Sequence, residues 1–140
     1  RPSNIYGPGQ PLRPGFGLIR TILEHVRRNS VMSVWGDGLT IRDYLYIDDL
    51  VEALYLSLSR PSSGSYNVGC GQGYSINHII ALVNEVTKSL LSVNYVSSRK
   101  VDVPAIVLDI SSIRSQYHWE PGTAIRDGIE KTWHWLKNQH

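Results

Sequence analysis

Hydrophobic positions follow a helical rhythm in some stretches of the chain and a strand rhythm in others. In residues 18–28, Leu18, Ile19, Ile22, Leu23 and Val26 share one helical face, which turns Arg20, Glu24 and Arg27 toward water. Arg27 and Arg28 stand where cations favour a helix C-terminus. Residues 34–58, VWGDGLTIRDYLYIDDLVEALYLSL, change rhythm twice and read as strand, turn, second strand over 41–47, then helix. Gly36-Asp37-Gly38 supplies glycines where a turn needs positive φ. Asp48 or Asp49 offers an oxygen to cap the helix that continues to Leu58. Residues 65–69, SYNVG, read as a short strand. Ser75 caps a helix whose buried stripe is Ile76, Ile79, Ile80, Val83 and Val86. Residues 93–96 and 105–110 read as strands on either side of a polar loop at 97–103. A short helix spans 111–117. Thr123 caps a last helix with Ile125, Ile129, Thr132, Trp133 and Leu136 on one side. Residues 1–17, with four prolines and four glycines, are loop after a short apolar start at Ile5 and Tyr6. Strands alternating with helices make the class α/β.

Composition narrows the function classes. The 140 residues fit one domain, and 41% hydrophobic with 19% charged residues describes a globular chain. A net charge of +2, with no basic run beyond Arg27-Arg28, gives no ground for nucleic-acid binding. No apolar run approaches the ~18 residues of a membrane span, and no signal peptide is recognisable. Cys70 is the single cysteine, so no internal disulfide forms and a reducing cytoplasm is the simplest location. The chain opens mid-pattern at Arg1-Pro2-Ser3-Asn4, and the expectation is a fragment of something longer.

Most candidate chemistry has a plainer reading. Gly69-Cys70-Gly71-Gln72-Gly73 sits between a strand and a helix, where a phosphate cradle would sit. It matches neither GxGxxG nor a P-loop, and reads as a connecting loop. Asp48-Asp49 reads as a cap rather than an acid/base pair. His25, His78, His118, His134 and His140 have no ligand spacing, so no metal is expected. Cys70 reads as a packing residue, and Trp119, Trp133 and Trp135 as packing near the C-terminus. Two arginines remain. Arg42 interrupts an aromatic strand, and Arg99 lies in a loop three residues before Asp102. Guanidinium forks suit phosphate oxygens, but salt bridges to Asp43 or Asp102 fit the spacing equally well. Trp35, before the glycine turn, either offers a flat face to a base or packs.

Taken in order, several motifs resemble the C-terminal part of the extended short-chain dehydrogenase/reductases. They are Arg1-x-x-Asn4-Ile5-Tyr6-Gly7-Pro8, Gly36-Asp37-Gly38-x-x-x-Arg42-Asp43-Tyr44-x-Tyr46-x-Asp48-Asp49, Tyr66-Asn67-Val68-Gly69, Arg99-x-x-Asp102-x-Pro104-Ala105, Asp109-x-Ser111 and Thr132-Trp133-His134-Trp135. The nearest resemblance is to NAD-dependent UDP-sugar 4-epimerases of the UDP-glucose 4-epimerase type. It implies that residues 1–140 form a single substrate-binding unit whose strands complete a Rossmann sheet. The NAD-binding Rossmann domain would lie outside this chain.

The resemblance also assigns roles. Asn4 would approach sugar and phosphates, and Trp35 would lie beside the uracil. Arg42 and Arg99 would hold the pyrophosphate, and Asp102 would bond the ribose. Ile106 departs from the Tyr of some epimerases. Residues 1–6 and 65–68 would be strands of the Rossmann sheet and residues 48–59 would pack on it, so an apolar face is expected to stand exposed and to favour self-association. The parent enzyme would be a cytoplasmic homodimer of carbohydrate metabolism. No Tyr-x-x-x-Lys pair occurs, so the base and hydride acceptor would lie upstream, with no catalytic residue in this chain. The whole enzyme would oxidise the sugar at C4 with NAD, let the keto sugar turn, and return hydride to its other face. Sister 4,6-dehydratases, UDP-glucuronate decarboxylases and a non-catalytic binding module on the same fold are the alternatives.

Overall fold

The computed structural model describes residues 1–97 and 103–139. Its elements are β1 (Asn4–Tyr6), α1 (Leu18–Arg27), β2 (Met32–Trp35), β3 (Ile41–Tyr46), α2 (Ile47–Ser59), β4 (Gly73–Ser75), α3 (Ile76–Thr87), β5 (Val93–Val96), β6 (Ala105–Ile106), α4 (Ser111–Tyr117) and α5 (Ile125–Lys137). The α/β alternation expected from the sequence is present. Against β3, β1 runs parallel with Asn4 beside Tyr44, β4 antiparallel with Ser75 beside Ile41, and β6 parallel with Ala105 beside Ile41. β2 and β5 form a separate parallel pair.

The period-two alternation of β3 feeds two cores. Tyr44 and Tyr46 pack with Ile19, Ile22 and Leu23 of α1, Ile79 and Val83 of α3, and Ile129 and Leu136 of α5. Leu45 packs on the other face with Ala53, Ile113, Tyr117 and Trp119. A strand covered on both faces reads as a nearly continuous apolar run.

Asp43 shares the face of Leu45 and is 1% exposed. Its carboxylate accepts from the backbone N–H groups of Cys70 (2.8 Å), Gly71 (3.0 Å) and Leu108 (3.3 Å). Gly69 leaves room for this, since a Cβ there would lie 2.6 Å from Asp43 Oδ2. These bonds also explain two short ladders. The strand expected at 65–69 is a single bridge between Pro2 and Val68, because the amides of Cys70 and Gly71 turn to Asp43. The strand expected at 105–110 stops at Ile106, because Leu108 N–H does the same. Gly73, the last residue of the segment read as a loop, instead begins a strand to Ser75 that pairs with β3.

Two expected caps serve each other instead. Ile47 begins α2 rather than ending β3, and neither Asp48 nor Asp49 caps the helix with its side chain. Asp49 is buried and accepts from Gly122 N–H (3.2 Å), Thr123 N–H (3.2 Å) and Thr123 Oγ1 (3.1 Å). Thr123 is thereby taken from α5, whose N-cap is Ala124. Ser75 does cap α3, accepting from His78 N–H at 3.1 Å.

In α1, Arg20 and Glu24 do not face water. They are 8% and 3% exposed. Glu24 binds Arg20 at 2.7 Å, Arg27 at 2.6 Å and Arg28 at 2.5 Å, and pairing is what permits burial of the charge. Trp135 of α5 lies against Arg20, 5.9 Å from guanidinium carbon to ring centroid. The periodicity of α1 could not reveal this neighbour. On α2, by contrast, Val51, Leu54, Tyr55 and Leu58 are between 53% and 80% exposed, the uncovered apolar face that was expected.

Asp43→Asn would set an NH2 group among backbone donors and should cost about 1–3 kcal/mol of stability. Urea unfolding measures this, and an unshifted midpoint would count against the carboxylate's role. Hydrogen bonding from Arg27, aided by Arg20 and Arg28 and opposed by burial, holds the Glu24 carboxyl at about 2. Stability from such a group is complete above its ordinary 4.5 and is lost as pH falls toward about 2. Glu24→Gln should therefore flatten the acid limb of the stability curve over that window, and an identical limb would contradict the pairing.

Candidate functional site

A cavity of about 630 Å³ opens where β1, β2 and β3 approach the N-terminal end of α1. Asn4 of β1, Trp35 of β2 and Arg42 of β3 all line it, so three of the residues singled out in the sequence converge. Arg99 and Asp102 lie outside the described residues. Strand alternation puts Arg42 on the face opposite Asp43, which rules out the neighbouring salt bridge. Arg42 Nη1 donates to the carbonyls of Ile41 (2.7 Å) and Val103 (2.8 Å). Among the described residues it forms no ion pair, and Nε and Nη2 have no hydrogen-bond partner. It is the one charged residue among the described residues lining the cavity.

The rest of the wall is polar and aromatic. Asn4 Nδ2 donates to the Asp43 carbonyl at 2.9 Å, which fixes the amide. Trp35 is half exposed. It precedes a turn in which Gly36 and Gly38 take φ of 78° and 76°, as expected. Gln10, Phe16 and Tyr44 also contribute, and spacing had marked none of them. Ser3 Oγ and Gln10 Oε1, both on this wall, are buried without a partner among the described residues. Buried polar atoms are normally satisfied, so these two are exceptions in the packing behind the wall.

Two phenols line the cavity, and burial acts on both. Burial pushes the Tyr44 phenol up to about 12, opposed by Arg42. Burial, with Asp49 adding to it, raises Tyr6 as well. Both phenols stay protonated at neutral pH. Cys70 is also raised by burial, consistent with a packing residue. The segment 69–73 cannot cradle a phosphate through Cys70 and Gly71, since both amides are engaged by Asp43. Among the described residues no cluster of His, Cys, Asp and Glu could hold a metal.

The profile of the NAD-dependent epimerase/dehydratase family matches residues 1–69, a span that includes Asn4, Trp35 and Arg42. Over residues 1–69 this chain is similar to that family. A UDP-glucuronate 4-epimerase of Thermodesulfobacterium geofontis is 32% identical over 135 residues, covering 95% of this chain and 41% of the relative. GDP-L-fucose synthase 1 of Arabidopsis thaliana is 32% identical over 145 residues, covering 98% of this chain and 45% of the relative. The crystal structure of a UDP-glucose 4-epimerase from Thermotoga maritima with UDP-glucose superposes with a TM-score of 0.92 at 30% identity. It covers 98% of this chain and 44% of that one. The chain thus spans under half the length of the family members it matches. The relatives include an epimerase named for a UDP-sugar and a synthase named for a GDP-sugar, so likeness alone leaves the reaction open. No described helix is long and apolar enough to cross a membrane.

Proposed function

We propose that this chain grips the nucleoside diphosphate of a UDP-sugar as part of an NAD-dependent nucleotide-sugar 4-epimerase. The observation that carries the reading is the convergence of Asn4, Trp35 and Arg42 on one cavity, with Arg42 its one described charge. A flat indole, a carboxamide and a guanidinium fork suit base, sugar and pyrophosphate in turn. Arg99 is read as the second pyrophosphate cation and Asp102 as the ribose acid. Residues 1–140 act as one substrate-binding unit. NAD, which accepts and returns the hydride, and the catalytic base belong to a Rossmann domain outside this chain, which would cover the apolar face of α2 in a cytoplasmic homodimer. The likeness to a GDP-L-fucose synthase supports a second reading, a sister enzyme on the same scaffold that holds a different nucleotide.

Calorimetry with UDP and GDP tests both readings. Binding of UDP is expected, and Arg42→Lys, which keeps charge but loses the fork, should weaken it by about 1–3 kcal/mol. No affinity for UDP would remove the basis of the epimerase reading, and preference for GDP would favour the second. The 140 residues alone are expected to show no C4 inversion of UDP-glucose, because they contain no Tyr-x-x-x-Lys pair. Turnover by this chain would refute that expectation.

A further inference from the structure

Glu24 is already neutralised by Arg27 and Arg28, which remain 40% and 60% exposed. Burying a third arginine against it is costly and needs another reason. Arg20 differs from the other two in its reach. Its Nη1 is held by Glu24 at 2.7 Å, its guanidinium lies over Trp135, and its Nε donates to the Gln10 carbonyl at 3.2 Å. Gln10 lines the cavity and passes the connection on. Its Nε2 donates to the Ile5 carbonyl at 3.1 Å, next to Asn4. Its amide also fills the space beside Gly17 at the start of α1, where a Cβ would come within 3.0 Å. One guanidinium thus ties the loop of residues 7–17 to α1, to α5 and, through Gln10, to β1.

We propose that Arg20 is a positioning residue for nucleoside-diphosphate binding, acting through Gln10 on the cavity wall formed by the loop. The proposal rests on the reading of the cavity as a nucleotide site. A loop that is loose in the free protein must be ordered when ligand binds, and that ordering subtracts from affinity. A loop already held by Arg20 avoids the loss. Lysine cannot substitute, because a compact ammonium does not present the planar fork that serves Glu24 and Gln10 together while stacking on Trp135.

The test compares the wild-type chain with Arg20→Lys, Arg20→Met and Arg27→Met, using UDP calorimetry and hydrogen exchange of the amides in residues 7–17. Both Arg20 variants should raise the Kd for UDP about tenfold or more. They should also speed exchange in the loop without ligand, while Arg27→Met, which loses a partner of Glu24 that does not reach the loop, changes neither. A folded Arg20 variant with wild-type Kd or wild-type loop exchange overturns the proposal. Should Arg20→Met fail to fold, Arg20→Lys, which keeps the charge pair, decides. A wild-type chain with no affinity for UDP overturns the nucleotide reading and the binding half of the proposal with it. The exchange comparison needs no ligand and still decides whether Arg20 orders the loop.

Discussion

The structure depends on the grip of one buried carboxylate on three backbone amides. Asp43 sits in the middle of β3 and holds Cys70, Gly71 and Leu108 from two distant parts of the chain. A buried carboxylate without partners would be prohibitively costly, and amides left without acceptors would be costly too. Meeting one another, they solve both problems and pull the segments after Val68 and Ile106 onto the strand. The same contact fixes which way Arg42 faces. Adjacent strand residues point to opposite faces, so Asp43 is engaged on one side while Arg42 stands on the other with no acid among the described residues.

The cavity is a consequence of that division. β1 pairs with β3 so that Asn4 lies beside Tyr44, and the Asn4 amide is fixed by the Asp43 carbonyl. β2 and β5 form their own pair and carry Trp35 to the same wall. The resulting surface has a single described charge, aromatic faces, and phenols that burial keeps protonated. A guanidinium and an indole on one wall are the groups that the proposed nucleoside-diphosphate reading calls on.

Much of this was legible in the chain because it obeyed a rhythm. The α/β class, the Ser75 cap, the glycines of the 36–38 turn and the helices after them follow from local spacing. What escaped was the choice of long-range partners. Asp49 and Thr123 each carry the mark of a cap, and each abandons its helix for the other across 74 positions. Arg20 and Glu24 occupy the polar face of an amphipathic helix, but Trp135 and the Gln10 carbonyl close over that face. β4 escaped because Gly73 gives no alternation to read. The Arg42–Asp43 ambiguity, however, was soluble in principle, since strand alternation alone separates neighbours.

The proposed division of labour between this chain and the rest of an enzyme has a mechanical basis in β3. Arg42 stands near one end of the strand, and Tyr46 at the other passes directly into Ile47 of α2 with no residue between. The extended run from Arg42 to Tyr46 spans about 13 Å. It is buried on both faces over its last residues, so it cannot flex independently of the two cores. The exposed stripe of Val51, Leu54, Tyr55 and Leu58 lies on the helix that continues this strut. A domain seated on that stripe would share a rigid element with the guanidinium in the cavity. A hydride donor and a diphosphate grip on separate domains could then be held in register without a hinge between them.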